Sequence, residues 1–123
     1  MSNLKELKEL IADNLDAKMN KKELEYLDDQ LAYDNDFTIE IDGNEYRFIS
    51  EKTIEDTYFD EQKDLIKEIY LGGKELPYWI EIDWEATIEN VLSSDGYGNH
   101  FASYDGEEID FVYSDERWYV FRV

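Results

Sequence analysis

The chain has 123 residues, enough to bury one hydrophobic core, and it reads as a single domain over 1–123. A hydrophobic content of 42% and an aromatic content of 15% exclude disorder, while 32 acidic against 12 basic residues give a formal charge of -20 that excludes direct binding to nucleic-acid phosphates. The absence of cysteine removes disulfides, thiolate catalysis and cysteine-based metal sites. With no signal-peptide pattern and no apolar run of about 18 residues, it predicts a soluble cytoplasmic protein without a membrane partner.

From about Asn3 to Ala17, Leu4, Leu7, Leu10, Ile11 and Leu15 form a helical stripe. Asn20 stands three residues before Glu23, a capping-box spacing, and opens a second helix whose Leu24, Leu27 and Leu31 share a face. Two helices with a short polar link predict an antiparallel hairpin over 1–33. Its leucines read as a packing face, because no heptad continues. Residues 1–33 hold 8 acids and 5 bases, whereas residues 34–123 hold 24 acids and 7 bases, so the charge is concentrated in an acidic α+β body over 34–123.

The body begins with Phe37-Thr38-Ile39-Glu40-Ile41, an alternating strand, then an Asp42-Gly43 turn and a return strand Glu45 to Ile49. Ser50 to Leu71 turns helical, most clearly at Leu65, Ile66, Ile69 and Tyr70, and Gly72-Gly73 stops it. Leu76 to Leu92 follows. Pro77 restricts Leu76 to extended backbone, Tyr78, Trp79, Ile80 and Ile82 form an apolar run, and Asp83 caps a helix with Trp84, Ile88, Val91 and Leu92 on its core side. Glu81, Glu85 and Glu89 recur at intervals of four, so a helix reaching back to Glu81 carries three carboxylates at about 6 Å per step, and one starting at Trp84 carries two. Ser93 to Asn99 reads as a polar loop. A meander of three strands then runs from His100 through Tyr104, Ile109 to Tyr113, and Trp118 to Val123. The last strand, apolar on both faces, predicts a free edge through which two copies pair as a homodimer.

Chemistry is sparse. His100, the single histidine, lacks a nucleophile elbow and a second histidine, and reads as a surface or strand-edge residue. The acids around Asp34, Asp42, Asp95 and Asp105 do not follow the calcium-loop spacing, and the glycines do not follow the P-loop pattern. Carboxylates are so numerous that a pair at hydrolase spacing carries no information. The reading is therefore a binding protein without catalytic residues, metal or cofactor. Acids at alternate strand positions, such as Glu40 and Asp42, advance about 6.6 Å, and helical acids four apart advance about 6 Å. Either row approximates every second phosphate of a DNA strand, which has one per about 3.4 Å of axis.

Ile82-Asp83-Trp84-Glu85-Ala86, followed by Asn90-Val91 and a glycine-turned aromatic ending, resembles the carboxy-terminal part of ArdA-type antirestriction proteins over about the last third of the chain, Glu75 to Val123. The resemblance implies an acidic, elongated α+β protein, encoded by a phage or mobile element, that mimics DNA in the binding groove of type I restriction-modification enzymes. The chain departs from that family in being shorter than the usual three-domain protein and in its two leading helices, which leaves the target open. An inhibitor aimed at a CRISPR effector would use the same physics, since such effectors hold nucleic acid in a positively charged channel. The expectation is thus an α+β protein, an amino-terminal helix pair followed by a small antiparallel sheet with packed helices. Glu40, Asp42, Glu81, Glu85 and Glu89 form its distributed partner-binding surface, and the partner is the basic surface of a host nuclease or DNA-recognition subunit. The alternative is an immunity protein that neutralises a basic toxin enzyme.

Overall fold

The computed structural model of the chain describes residues 4–72, 77, 79–102 and 105–123. Its elements are α1 (Leu4–Leu15), α2 (Lys21–Tyr33), β1 (Asp36–Ile41), β2 (Asn44–Ser50), α3 (Glu51–Leu71), α4 (Trp84–Phe101), β3 (Ile109–Tyr113) and β4 (Glu116–Arg122). The class is α+β. Local chemistry sets several of the boundaries. The Asn20 side chain accepts from the Glu23 N–H while Glu23 accepts from the Asn20 N–H, a complete capping box at the start of α2. Asp83 accepts from the Ala86 N–H at the start of α4. The Asp42-Gly43 turn, with both residues at positive φ, sets the β1–β2 register, and Gly72 ends α3 in the left-handed conformation.

Alternation along the strands then sorts side chains onto two faces. Phe37, Ile39 and Ile41 of β1, Tyr46 and Phe48 of β2, Phe111 and Tyr113 of β3, and Trp118 and Val120 of β4 pack with the leucine faces of α1 and α2. Ile49, Tyr119 and Phe121 face the opposite way and pack with Ile54 and Tyr58 of α3 and Ile88 and Phe101 of α4. The molecule is thus three layers deep, with one helix pair on each face of the sheet. Strand order is β1-β2-β4-β3, all neighbours antiparallel.

That order corrects the expectation of a free edge on the last strand. β4 lies between β2 and β3 with both edges paired, so it offers nothing for a second copy to extend. The free edges belong to β1 and β3, which carry the acids Asp36, Glu40 and Asp110. Two further expectations change. Ser93 to Asn99 is not a loop: α4 runs on to Phe101 with a break at Gly96, whose φ is 74°. Helix continues because it seats Tyr97 against Tyr58 and Tyr119, and Phe101 against Tyr58 and Phe121. That aromatic burial outweighs the low helix propensity of two glycines and two serines. His100 and Phe101 are consequently helical, the three-stranded meander reduces to the β3–β4 hairpin, and Ser103 and Tyr104 of the expected strand lie outside the described residues. Asn3, Gly73, Leu76 and Tyr78, each named in a sequence-based expectation, lie outside them as well. Among the described residues no helix is long and apolar enough to cross a membrane.

Candidate functional site

The acids singled out from the sequence fall into separate groups. Glu40 is exposed on β1 directly opposite Glu45 of β2, and Asp42 is exposed in the adjoining turn. Glu81 is exposed but precedes α4, which starts at Trp84, so the helical row holds Glu85 and Glu89 only. Those two are brought together with Glu55 and Asp56 of α3 around an open groove of about 530 Å³, floored by Tyr58, Phe59, Ile88 and Leu92. Glu40, Asp42 and Glu81 do not line it.

Sequence reasoning missed the longest carboxylate row. Asp56, Asp60, Asp64 and Glu68 recur at intervals of four on α3 and all are exposed. Each step rises about 6 Å and turns about 40° in the right-handed sense, so the row spans about 18 Å and winds slowly around the helix. The four-residue spacing was visible in the sequence. It was obscured by the ambiguous periodicity around Thr53, Thr57, Tyr58 and Phe59. The closest charge and ring contacts of the α3 lysines are made elsewhere: Lys52 pairs with Glu116 at 3.0 Å, while Lys63 and Lys67 lie over the Trp84 ring at 5.5 and 5.7 Å. Among the described residues no ion pair is made by Asp56, Asp60, Asp64 or Glu68. Trp84, expected in the core, is accordingly half-buried under two lysines.

Beneath this face, a different charge arrangement ties the layers together. Arg47 of β2 donates from Nε and Nη2 to Asp36 at 2.9 and 2.6 Å, and from Nη1 and Nη2 to Glu61 of α3 at 3.3 and 2.8 Å. Glu61 also shares a 3.0 Å hydrogen bond with His100 Nε2 of α4, and the Arg47 guanidinium lies 5.0 Å from the Phe101 ring centroid. The hydrogen bond to Asp36 raises the proton affinity of Arg47, against the effect of burial, and Glu61 adds to it. For Glu61, burial would raise the carboxyl, but the hydrogen bonds from Arg47 and His100 outweigh it and hold the group below the usual glutamate range. His100 is therefore not a surface or strand-edge residue. Its side chain is 15% exposed, inside α4, against the rings of Tyr58 and Phe101. No local pattern signals this, because the partner Glu61 lies 39 residues away in the chain.

The arrangement joins β1, β2, α3 and α4 through charge-paired hydrogen bonds. Among the described residues no group of three or more histidine, aspartate or glutamate side chains is placed to hold a metal ion. Exposed carboxylates on α3 and α4 form a face directed at solvent. No family model, curated protein or solved structure matches the chain.

Proposed function

We propose that the protein is an acidic mimic of nucleic acid that inhibits a host defence nuclease, a restriction-modification enzyme or a CRISPR effector, by covering the basic surface on which that enzyme holds DNA or RNA. The observation that carries this reading is the exposed row Asp56, Asp60, Asp64 and Glu68, which makes no ion pair among the described residues while Lys63 and Lys67 lie over Trp84. Steps of about 6 Å approximate every second phosphate of a strand, and the row winds in the right-handed sense of duplex DNA. Glu85 and Glu89 extend the charge across α4, and Glu40, Asp42 and Glu81 add outlying patches. The resemblance of Ile82 to Ala86 to ArdA-type antirestriction proteins supports the same reading, with a phage or mobile-element source and action in the host cytoplasm. The protein would be no enzyme and would bind no nucleic acid itself.

Capture of partners from host lysate on the tagged protein, followed by competition between the protein and DNA for the purified partner, tests this. Displacement of DNA is expected, and it should weaken when Asp56, Asp60, Asp64 and Glu68 are changed together to their amides. A partner that binds DNA and the protein at once would overturn the reading. One observation favours the alternative of an immunity protein: the apolar floor of the α3–α4 groove, which phosphate imitation does not require. Capture of a basic toxin with no nucleic-acid substrate would decide for it.

A further inference from the structure

The groove between α3 and α4 carries more than charge. Its rim holds Glu55 and Asp56 on one side and Glu85 and Glu89 on the other, and its floor is formed by Tyr58, Phe59, Ile88 and Leu92, of which Phe59 and Leu92 are half-buried and open to an occupant. Among the described residues no lysine or arginine lines it. An anion would be repelled there, an apolar segment would cover carboxylates without pairing them, and a small hydrated cation would leave the floor uncovered. A cationic head on an aliphatic stem satisfies rim and floor together. The same helix layer already sets cationic heads over aromatic rings. Lys63 and Lys67 lie over the Trp84 ring at 5.5 and 5.7 Å, and Lys63 lies 6.0 Å from the Phe59 ring centroid.

We propose that this groove is a socket for arginine side chains presented by a basic protein partner, with the guanidinium paired to the rim carboxylates and the stem lying on Phe59, Ile88 and Leu92. Arginine fits better than lysine for three reasons: its planar fork pairs with carboxylates in two-point fashion, it is less strongly hydrated, and it stacks on aromatic rings. The inference rests on the reading of the protein as a cover for a basic surface. It adds which side chain is taken and where it sits.

Nuclear magnetic resonance titration of the full chain with capped tetra-arginine, capped tetra-lysine and spermine, three probes of equal charge, tests it. Tetra-arginine is expected to shift the Phe59, Ile88 and Leu92 side-chain resonances and to bind at least about fivefold more tightly than the other two. The double substitution Glu85→Gln, Glu89→Gln should weaken tetra-arginine by about tenfold, equivalent to about 1.4 kcal/mol. Both glutamates are exposed, so this variant keeps its fold, and its denaturation midpoint checks that. Equal affinity for the three probes, or shifts confined to Asp60, Asp64 and Glu68 with the floor unmoved, overturns the socket. Inhibition of a captured nuclease that is unchanged in the double variant also overturns it, while leaving the inhibitor reading intact. Arginine seated in the groove of a protein that inhibits no nuclease supports the socket and removes the inhibitor reading.

Discussion

Arg47 stands between two carboxylates that would repel each other without it, and it joins β1, β2 and α3 through the same guanidinium. Side-chain exposures of 21% for Arg47 and 38% for Glu61 place the pair between a surface ion pair and a buried one. Glu61→Gln is therefore expected to lower stability at neutral pH by about 1–2 kcal/mol. The sign of its pH dependence follows from the direction of the shift. The folded Glu61 carboxyl lies below its unfolded value, so its contribution is complete above the unfolded value and is lost as pH falls through the folded one. The gap between wild type and Glu61→Gln should close as pH falls below about 4, as denaturant midpoints taken from pH 7 to pH 3 would reveal. Gly98 is constrained by space instead. A Cβ there would lie 2.4 Å from the Gly106 carbonyl oxygen, with further backbone of Gly106 and Glu107 at 3.1 Å. Gly98→Ala should therefore cost about 1–3 kcal/mol despite the better helix propensity of alanine, and a raised melting temperature would show that the 105–107 backbone yields.

Among the elements, those governed by neighbours in sequence were legible and those governed by distant packing were not. The Asn20–Glu23 box, the Asp83 cap and the Asp42-Gly43 turn each need only a few consecutive residues, and all three form. The extension of α4 through Gly96 and Gly98 depends on Tyr58, Tyr119 and Phe121, which no local pattern around Ser93 to Phe101 contains. The insertion of β4 beside β2 was hidden for the same reason, since their pairing joins Tyr46 to Arg122 across α3 and α4. Of the candidate site, Glu85 and Glu89 were found from their spacing, whereas their meeting with Glu55 and Asp56 required the α3–α4 contact. Trp84→Ala is expected to have a moderate cost. With the ring half-buried beneath Lys63 and Lys67, the loss should be about 1–2 kcal/mol, not the 3–5 kcal/mol typical of a fully buried aromatic. Chemical denaturation separates the two values. On the hairpin, Glu40 faces Glu45 directly, and like charges in that position oppose pairing. Glu40→Thr should stabilise by about 0.2–1 kcal/mol. If Glu40 serves binding, the same substitution should weaken the partner complex, a trade between stability and function that a thermal melt and an affinity measurement on one variant would expose.

At the scale of the whole molecule, the charge of -20 acts on folding and on binding with opposite signs. Within the folded chain the exposed acids on α3, α4 and the hairpin repel one another, and that repulsion is reduced as the screening length falls from about 30 Å at 0.01 M salt to about 10 Å at 0.1 M. The melting temperature is therefore expected to rise with sodium chloride. Toward a basic partner the same acids attract, and screening removes that attraction, so affinity for the captured nuclease should fall by at least about tenfold between 50 and 200 mM salt. Because the attraction is shared among many carboxylates, single changes at Glu40, Asp42, Glu81, Glu85 or Glu89 should each remove a small part of it. The combined amide variant should both melt higher at low salt and bind with a flatter salt dependence. A discrete site behaves differently: one substitution would abolish inhibition, the others would do nothing, and the salt slope would be shallow from the start. Measuring stability and affinity across the same salt series, on wild type and on the combined variant, therefore distinguishes a distributed imitation of phosphates from a single essential carboxylate. Affinity that does not change with salt while stability rises would reject charge imitation as the source of binding.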